Sequence, residues 1–484
     1  MTQKAESHVF QAEVQEVLSL VIHSLYTERD IFLRELLSNA SDALDKLRFE
    51  ALTHADWLPS GETLGIALQA NPDARTLSIA DNGIGMDHAD LVSNLGRVAS
   101  SGTRKFVEAL KEAKSEGSPE LIGRFGVGFY SSFMVADRVT VETRKAGSDE
   151  GWRWESDGKG EYTVEPAPGL ARGTVITLHL KPVEDDDHDY TQEWTLRDIV
   201  SRYSDFVEYP IQMEVERSKP KLDDEGEPIE GEYETQRELE TLNSMKPLWT
   251  RPKADITSEE YADFYRHHTH DWMPPLDTIH FKAEGTLEFT ALLFLPAQRP
   301  MMMGEGQNPK SKLSLYVRRI LVQRECEDLL PAWLRFVRGV VETSDLPLNV
   351  SRETMQNNRQ VAQIRKGLVR KVLEAMGKLL KDDREKYEAF WKHFGWTFKE
   401  GLYFEHGDQQ VAVAGLCLFE HSSESGWKTL AEYKEAMPEG QEAIYVLTGQ
   451  DRATVEASAH LESMRRKGYD VLFLVDPVDE WVLE

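Results

Sequence analysis

The chain has 484 residues, 40% of them hydrophobic and 29% charged, with a formal net charge of −28 at pH 7. That length predicts two or three domains with cores of their own, and so negative a field argues against sequence-independent binding of nucleic acid. Cys326 and Cys417 show no disulfide, redox or metal-ligand spacing; with no run near the ~18 apolar residues of a membrane span and no signal-type N-terminus, a cytoplasmic protein without membrane contact is expected.

In chain order, residues 7–10 read as a strand and 11–25 as a short amphipathic helix. A longer helix is expected over 27–50, opened by a capping box of Thr27 and Asp30. At about 100° per residue, Leu33, Leu36, Leu37, Ala40, Ala43, Leu44 and Leu47 share one apolar face. Glu35, Asn39, Asp42 and Lys46 form a polar stripe along its border. A solvated helix face explains such a stripe as well as a pocket wall does. Residues 63–69 and 75–80 alternate around Asn71-Pro72-Asp73 and predict a β-hairpin.

The second strand runs into Asp81-Asn82-Gly83-Ile84-Gly85-Met86, an acid at a strand end followed by a turn that allows close backbone approach. The small-residue stretch 94–102 precedes an expected helix, 103–114. A second glycine-rich run, Gly123-Arg124-Phe125-Gly126-Val127-Gly128, opens an expected helix over 129–135. Glycines there let backbone N–H groups face an anion, and the span between the clusters could hinge as a lid. Segments 138–143, 151–156 and 174–180 read as consecutive strands, making the first domain a mostly antiparallel sheet with helices.

The acidic stretch 219–240, with Gly226, Pro228 and Gly231, reads as a flexible linker, part of which a solvated hairpin also explains. Beyond it, strands are expected at 279–282, 287–295 and 314–322, a loop at 342–348 and a long helix at 351–383 bearing Arg365, Lys366, Arg370 and Lys371. After Phe394-Gly395-Trp396 a small α/β unit is expected, with strands 443–447 and 470–475 around a helix 452–467.

The Glu35/Asn39 stripe, the turn at Asp81 to Gly85 and the loop at Gly123 to Gly128 together resemble the nucleotide site shared by type II topoisomerases, mismatch-repair ATPases, sensor kinases and the ninety-kilodalton heat-shock chaperones. LYTERDIFLRELLSNASDALDKLR, IADNGIGM, NLGRVASSGTRKF and IGRFGVGFYSSFMVADRV are similar to the chaperone family, in its bacterial branch. So are KPLWTRPKADITSEEYADFY, EGTLEFTALLFLPAQRP, LSLYVRRILV and GVVETSDLPLNVSRETMQ, and the likeness covers essentially the whole chain.

The resemblance implies an α+β fold. Residues 1–217 would form an ATP-binding domain of mostly antiparallel sheet covered by helices, with a lid at about 95–128. An acidic linker (218–242) and an α/β middle domain in two parts (243–375 and 376–484) would follow. It implies an ATP-dependent chaperone that hydrolyses ATP to ADP with Mg²⁺. Glu35 would be the general base, and Asn39 would hold Mg²⁺. Asp81 would accept the adenine amino group beside Gly83, Gly85 and Met86. Asn94, Gly126, Val127, Gly128 and Phe129 would contact ribose and phosphates. Asp42 and Thr174 would support the pocket, while Lys46 fits a salt bridge equally well. Arg352, with Gln356, would reach the γ-phosphate as an arginine finger does. Where many relatives carry a lid lysine this chain has Ser100; Arg97 or Arg104 could substitute for it.

Partly folded clients are the implied partners, meeting Trp272 and the loop of Met301, Met302 and Met303, along with co-chaperones. In the family a C-terminal dimerisation domain follows, so a homodimer is implied at full length and a monomer or weak dimer for this chain. Three rival readings stay open on the sequence: a nucleotide-gated scaffold with negligible hydrolysis, a nucleic-acid-linked ATPase and a sensor kinase.

Overall fold

In the computed structural model the described residues are 6–9, 28–96, 128–183, 188–222, 228–285, 287–299, 312–344, 346 and 359–482. The chain divides into two compact units, the first made chiefly of Met1–Pro247 and the second chiefly of residues 248–484. The architecture is α+β.

The first unit is built on a nine-stranded sheet. Its elements in order are β1 (Glu6–Val9), α1 (Ile31–Glu50), β2 (Ile66–Asn71), β3 (Thr76–Asp81), α2 (His88–Asn94), a 3₁₀ turn (Gly128–Met134), β4 (Ala136–Arg144), β5 (Gly151–Ser156), β6 (Glu161–Pro166), β7 (Gly173–Leu180), α3 (Glu193–Tyr203), β8 (Ile211–Leu222) and β9 (Pro228–Thr241). The strand order is β1-β6-β5-β4-β7-β3-β2-β8-β9. Neighbours pair antiparallel except β2 with β8. The expected hairpin is there: Ile66 lies opposite Asp81 and Asn71 opposite Thr76. Asn71 Oδ1 closes its turn by accepting from the Ala74 N–H at 2.9 Å.

Helix α1 crosses this sheet, packing on β2, β3, the 3₁₀ turn and α3. Its predicted apolar face is core: Leu33, Leu36, Leu37, Leu44 and Leu47 are at most 1% exposed. The helix starts at Ile31, and the Asp30 side chain does not cap it. That carboxylate is drawn away, accepting from Tyr190 Oη at 3.0 Å and meeting His188 Nδ1 at 2.9 Å. Thr27 lies outside the described residues.

Three further expectations change here. In place of the helix expected over 129–135, Gly128–Met134 form a 3₁₀ turn, in which Ser131 and Ser132 donate their hydroxyls back to the Gly128 and Phe129 carbonyls at 2.6 and 2.5 Å. Strand β7 pairs with β3 and β4 while an additional strand, β6, pairs with β5, so the segments expected to be consecutive are not neighbours throughout. The acidic stretch is no simple linker, since β8 and β9 pair from Gln212 opposite Thr241 to Lys219 opposite Glu234. Its Glu240 finds a cation: Arg217 meets it at 2.8 Å and also meets Glu193 of α3 at 2.6 Å.

The second unit holds two sheets. Helix α4 (Ser258–Thr269) precedes β10 (Asp277–Ala283), β11 (Phe289–Leu295), β12 (Lys312–Val317), β13 (Ile320–Gln323) and β14 (Arg338–Thr343), ordered β10-β11-β14-β12-β13. The strand expected over 314–322 is two strands. Arg318 and Arg319 both take positive φ (53° and 70°), which turns the chain through a hairpin. The loop expected from 342 follows a strand, β14, that sequence reading missed.

Next come α5 (Arg359–Asp382), α6 (Arg384–Phe404) and α7 (Asp408–Ala414), then β15 (Phe419–His421), β16 (Trp427–Lys428), α8 (Leu430–Glu435), β17 (Val446–Thr448), α9 (Arg452–Glu456), α10 (Ala459–Arg466), β18 (Leu472–Leu474) and α11 (Asp479–Val482). Strands β17 and β18 pair in parallel as a β-α-β unit requires. The helix between them is split where Ser458 accepts from the His460 N–H, at 3.3 Å, to cap α10.

A buried ion cluster ties α6 to α11. Lys399 Nζ donates to Asp476 Oδ2 at 2.7 Å and to Asp479 Oδ1 at 2.9 Å, with Lys399 and Asp479 almost wholly enclosed. Removing one partner strands buried charge. Lys399→Met is expected to destabilise the second unit by about 3–5 kcal/mol in urea titrations. Adding Asp476→Asn and Asp479→Asn should restore much of the loss; a single variant as stable as the parent would contradict this account.

Candidate functional site

The polar stripe of α1 is the place to start. Glu35 and Asp42 are each 2% exposed, so the stripe is not a solvated face. Arg34, 1% exposed, forks onto Glu35 Oε1 through Nε (3.1 Å) and Nη2 (3.0 Å). Sequence reading missed this pair, since adjacent helical residues are not expected to face each other. Asn39, one turn on, is half-buried, and its amide makes no hydrogen bond among the described residues. Lys46 sits among Asp42 and Asp90; burial pulls its pKa down against their attraction.

Both glycine turns land on this helix. A Cβ at Gly128 would stand 2.5 Å from Glu35 Oε2, and one at Gly83 would stand 2.7 Å from the Ala43 carbonyl carbon. At Gly83 the obstacle is backbone and only glycine fits; at Gly128 any larger residue would displace the Glu35 carboxylate. The Ile84 N–H then donates to the Ala43 carbonyl at 3.1 Å, fastening the Asp81 turn to α1 two helical turns beyond Glu35. Gly85 takes φ +68° against the Arg144 carbonyl.

Strands β3, β7 and β4 set the next residues in a row. Asp81 lies opposite Thr174, and Thr174 opposite Thr143. Thr143 Oγ1 accepts from the Met86 N–H at 2.9 Å, lies 3.0 Å from Thr174 Oγ1 and reaches the Gly173 carbonyl at 2.8 Å. Arg172 holds the turn from outside, donating to the Asn82 carbonyl at 2.8 Å and the Trp57 carbonyl at 2.5 Å. Thr143 and Arg172 were not singled out from sequence; no spacing points to them, because their partners come from other strands and loops.

From Met86 the chain enters α2, opened by a reciprocal cap between Asp87 and Asp90. Lys145 clamps both carboxylates, at 2.8 and 2.7 Å. Asn94 ends this helix, and Tyr130 Oη donates to the following Leu95 carbonyl at 2.8 Å. That bond returns to the 3₁₀ turn of Gly128 and Phe129, where the Phe129 ring packs edge-on against Trp154 at 5.5 Å.

The structure therefore links Glu35, Asp81, Gly83, Gly85, Met86, Gly128, Phe129 and Thr174 in one circuit of contacts, with Asn39 and Asp42 on the same helix α1 and Asn94 at the end of α2. Gly126, Val127, Arg352 and Gln356 lie outside the described residues, as do Arg97, Ser100, Arg104 and the three methionines at 301–303.

Asp81 carries the site's distinctive electrostatics. Its Oδ1 accepts from the Gly83 N–H at 2.9 Å, and Oδ2 accepts nothing from the described residues. Burial lifts its carboxyl to about 7, against the pull of the Gly83 N–H and Arg172. Among the described residues no three His, Cys, Asp or Glu side chains cluster as a metal site, and no helix is long and apolar enough to cross a membrane.

Residues 30–169 match the family described as histidine kinase-, DNA gyrase B- and HSP90-like ATPase. Residues 223–484 match the family described as Hsp90 protein. Among its relatives, the chain is 51% identical over 481 residues to a protein named chaperone protein HtpG from Geobacter sulfurreducens, an alignment spanning 98% of this chain and 73% of that one. It is 49% identical to HtpG of Nocardia farcinica (100% and 74%) and 48% identical to HtpG of Myxococcus xanthus (99% and 71%). The first unit thus carries an ATPase domain of the gyrase and histidine-kinase class. The chain belongs to the Hsp90 family.

The raised Asp81 carboxyl has a consequence for stability. Between its unfolded value near 3.8 and about 7, the folded chain holds a proton that the unfolded chain has released. Stability contributed by this group therefore falls as pH rises through that window and is flat above it. Asp81→Asn removes the slope while Oδ1 can still accept from Gly83. Its melting temperature is expected to match the parent at pH 4, exceed it increasingly up to pH 7, and hold that advantage at pH 8; equal melting at every pH would refute the assignment.

Proposed function

We propose that this chain is an ATP-dependent chaperone whose nucleotide site is the circuit around α1. The observation that carries the reading is the free hydrogen-bonding capacity inside that circuit. The Asn39 amide and Asp81 Oδ2 have no partners among the described residues, between two glycine turns that would let backbone come close to a ligand. Family membership supplies the reaction, hydrolysis of ATP to ADP and phosphate.

In this reading Asp81 Oδ2 accepts the adenine amino group, with Gly83, Gly85 and Met86 against the ring and Thr174 beside it. A guanine would present a carbonyl there and be repelled. Asn94, Gly126, Val127, Gly128 and Phe129 take ribose and phosphates through main-chain N–H groups. Glu35, held by Arg34, orients a water and takes its proton as the water oxygen bonds to the γ-phosphorus and ADP leaves. The site suits Mg²⁺, an ion that takes most of its ligands from phosphates and water. Asn39 would hold it through the amide oxygen, and bound metal would neutralise phosphate charge. Asp42 would order the pocket.

Arg352 and Gln356 would complete the γ-phosphate contacts when ATP closes the lid and draws the domains together. Hydrolysis would release that state and remodel a partly folded client. Trp272, 83% exposed, offers such clients an apolar contact. Co-chaperones and a homodimer of the full-length protein belong to the same proposal.

Glu35→Ala is expected to keep ATP affinity within a few fold while turnover falls at least 100-fold, the scale of a lost general base. Undiminished turnover would remove Glu35 from the role. ATP should bind well above GTP, and its Kd should rise as pH drops below about 7, where Asp81 takes up a proton. A pH-independent Kd between 6 and 8 would sink the adenine assignment.

A further inference from the structure

The face of the sheet that α1 covers is built in rungs across β3, β7 and β4. Leu77, Leu178 and Val139 stand side by side, and Ile79, Ile176 and Val141 form the next rung. Directly opposed residues share a face, and all of these but Ile176 are buried. The third rung is Asp81, Thr174 and Thr143. It continues the same face and is polar throughout, although both threonines are buried. Polar groups in that position are either hydrogen-bonded or used.

The polarity of the rung follows from its protons. Thr143 Oγ1 owns one proton and two lone pairs. The Gly173 carbonyl, 2.8 Å away, can only accept and takes the proton. The Met86 N–H, 2.9 Å away, can only donate and takes one lone pair. One lone pair is left, so across their 3.0 Å contact Thr174 Oγ1 donates to Thr143 Oγ1. The Thr174 proton is thereby fixed, and its own lone pairs are unclaimed by the described residues. Asp81 Oδ2 accepts nothing from them either. With Asp81 ionised, the free capacity of the rung is acceptor capacity alone.

Two acceptors discriminate where one does not. A 6-oxo purine carries a donor of its own, N1–H, beside its carbonyl, so a single carboxylate could be satisfied by either kind of base after a small shift. Two fixed acceptors side by side match the two protons of one amino group. They leave an oxo group facing a lone pair.

We propose that Thr143 is a specificity-determining positioning residue of the nucleotide site: it fixes Thr174 as an acceptor beside Asp81, so that this wall selects a 6-amino over a 6-oxo purine. The inference rests on the adenine reading of the site given above; what it adds is the role of Thr143, exerted through Thr174.

The test measures Kd for ADP and for inosine diphosphate, its 6-oxo counterpart, on the full chain by calorimetry. At pH 8 Asp81, lifted by burial to about 7, is mostly ionised. The parent is expected to favour ADP. Thr143→Val frees the Thr174 proton to donate to an oxo group, so that preference should fall about tenfold, the scale of one reversed hydrogen bond. Thr143→Ser, which keeps the hydroxyl, should restore it. Thr174→Val, which leaves Thr143 bonded to Gly173 and Met86, should lower the preference by less. The double variant Thr143→Val, Thr174→Val should discriminate as Thr174→Val does alone, because the freed proton is gone. A loosened fold would weaken both diphosphates together and leave their ratio unmoved. An unmoved ratio in Thr143→Val or in Thr174→Val, in a chain whose parent favours ADP, overturns the role of Thr143 and leaves the adenine site standing. A parent that binds both diphosphates alike, or neither, overturns the adenine reading and this inference with it.

Discussion

The first unit depends on two backbone turns meeting one largely buried helix at glycines, where a larger residue would strike backbone at one turn and displace a carboxylate at the other. Gly128 lies against the Glu35 carboxylate, and Gly83 against the Ala43 carbonyl. Eight residues of α1 separate the two contacts, about 12 Å at the helical rise. Because α1 is packed by leucines on the sheet, that separation cannot drift. Two glycine turns are held at a fixed spacing by a helix that is buried over most of its length.

The same burial creates the cost. Charged side chains are rarely placed in a core unless they are paired or used. Arg34 and Glu35 satisfy each other, and Asp30 collects a tyrosine and a histidine. Asp81 is different: half-buried by area, its carboxylate is crowded by protein and compensated by one backbone N–H and a more distant guanidinium. A carboxyl displaced to about 7 is one that the fold tolerates rather than prefers. Groups so placed cluster at functional sites, and this one also leaves Oδ2 unbonded among the described residues.

How legible this was in the sequence varied with the source of each constraint. The apolar face of α1 and the hairpin of β2 and β3 follow from periodicity, a local property, and both were readable. The three elements of the site were readable only in combination, each being weak alone. Arg34, Thr143 and Arg172 were invisible because their partners come from an adjacent helical position, a neighbouring strand and a distant loop. The turn at Arg318 and Arg319 was hidden for another reason. Two consecutive arginines with positive φ contradict local preference, so only the pairing of β12 with β13 imposes them.

The acidic segment shows where composition misleads. Glutamates, glycines and a proline suggested solvated chain, yet Ile211, Met213 and Val215 alternate onto a buried face and commit β8 to the sheet. Strand β9 then forms its edge, and the charges that looked like linker become the edge's protection, since an exposed edge dense in charge resists pairing with another chain. The acids are also not idle. Glu240 shares Arg217 and Arg197 with Glu193 of α3, which they draw down to about 2, so this network stays ionised far into the acid range. By linkage, its contribution is complete above the ordinary glutamate value and fades only as pH falls toward 2. Screening keeps that contribution small at so open a site. Its weight lies in register: with Glu216 paired to Arg237 across the strands and Arg217 joining β8 to β9 and α3, a slip of one residue would place every one of these charges on the wrong face.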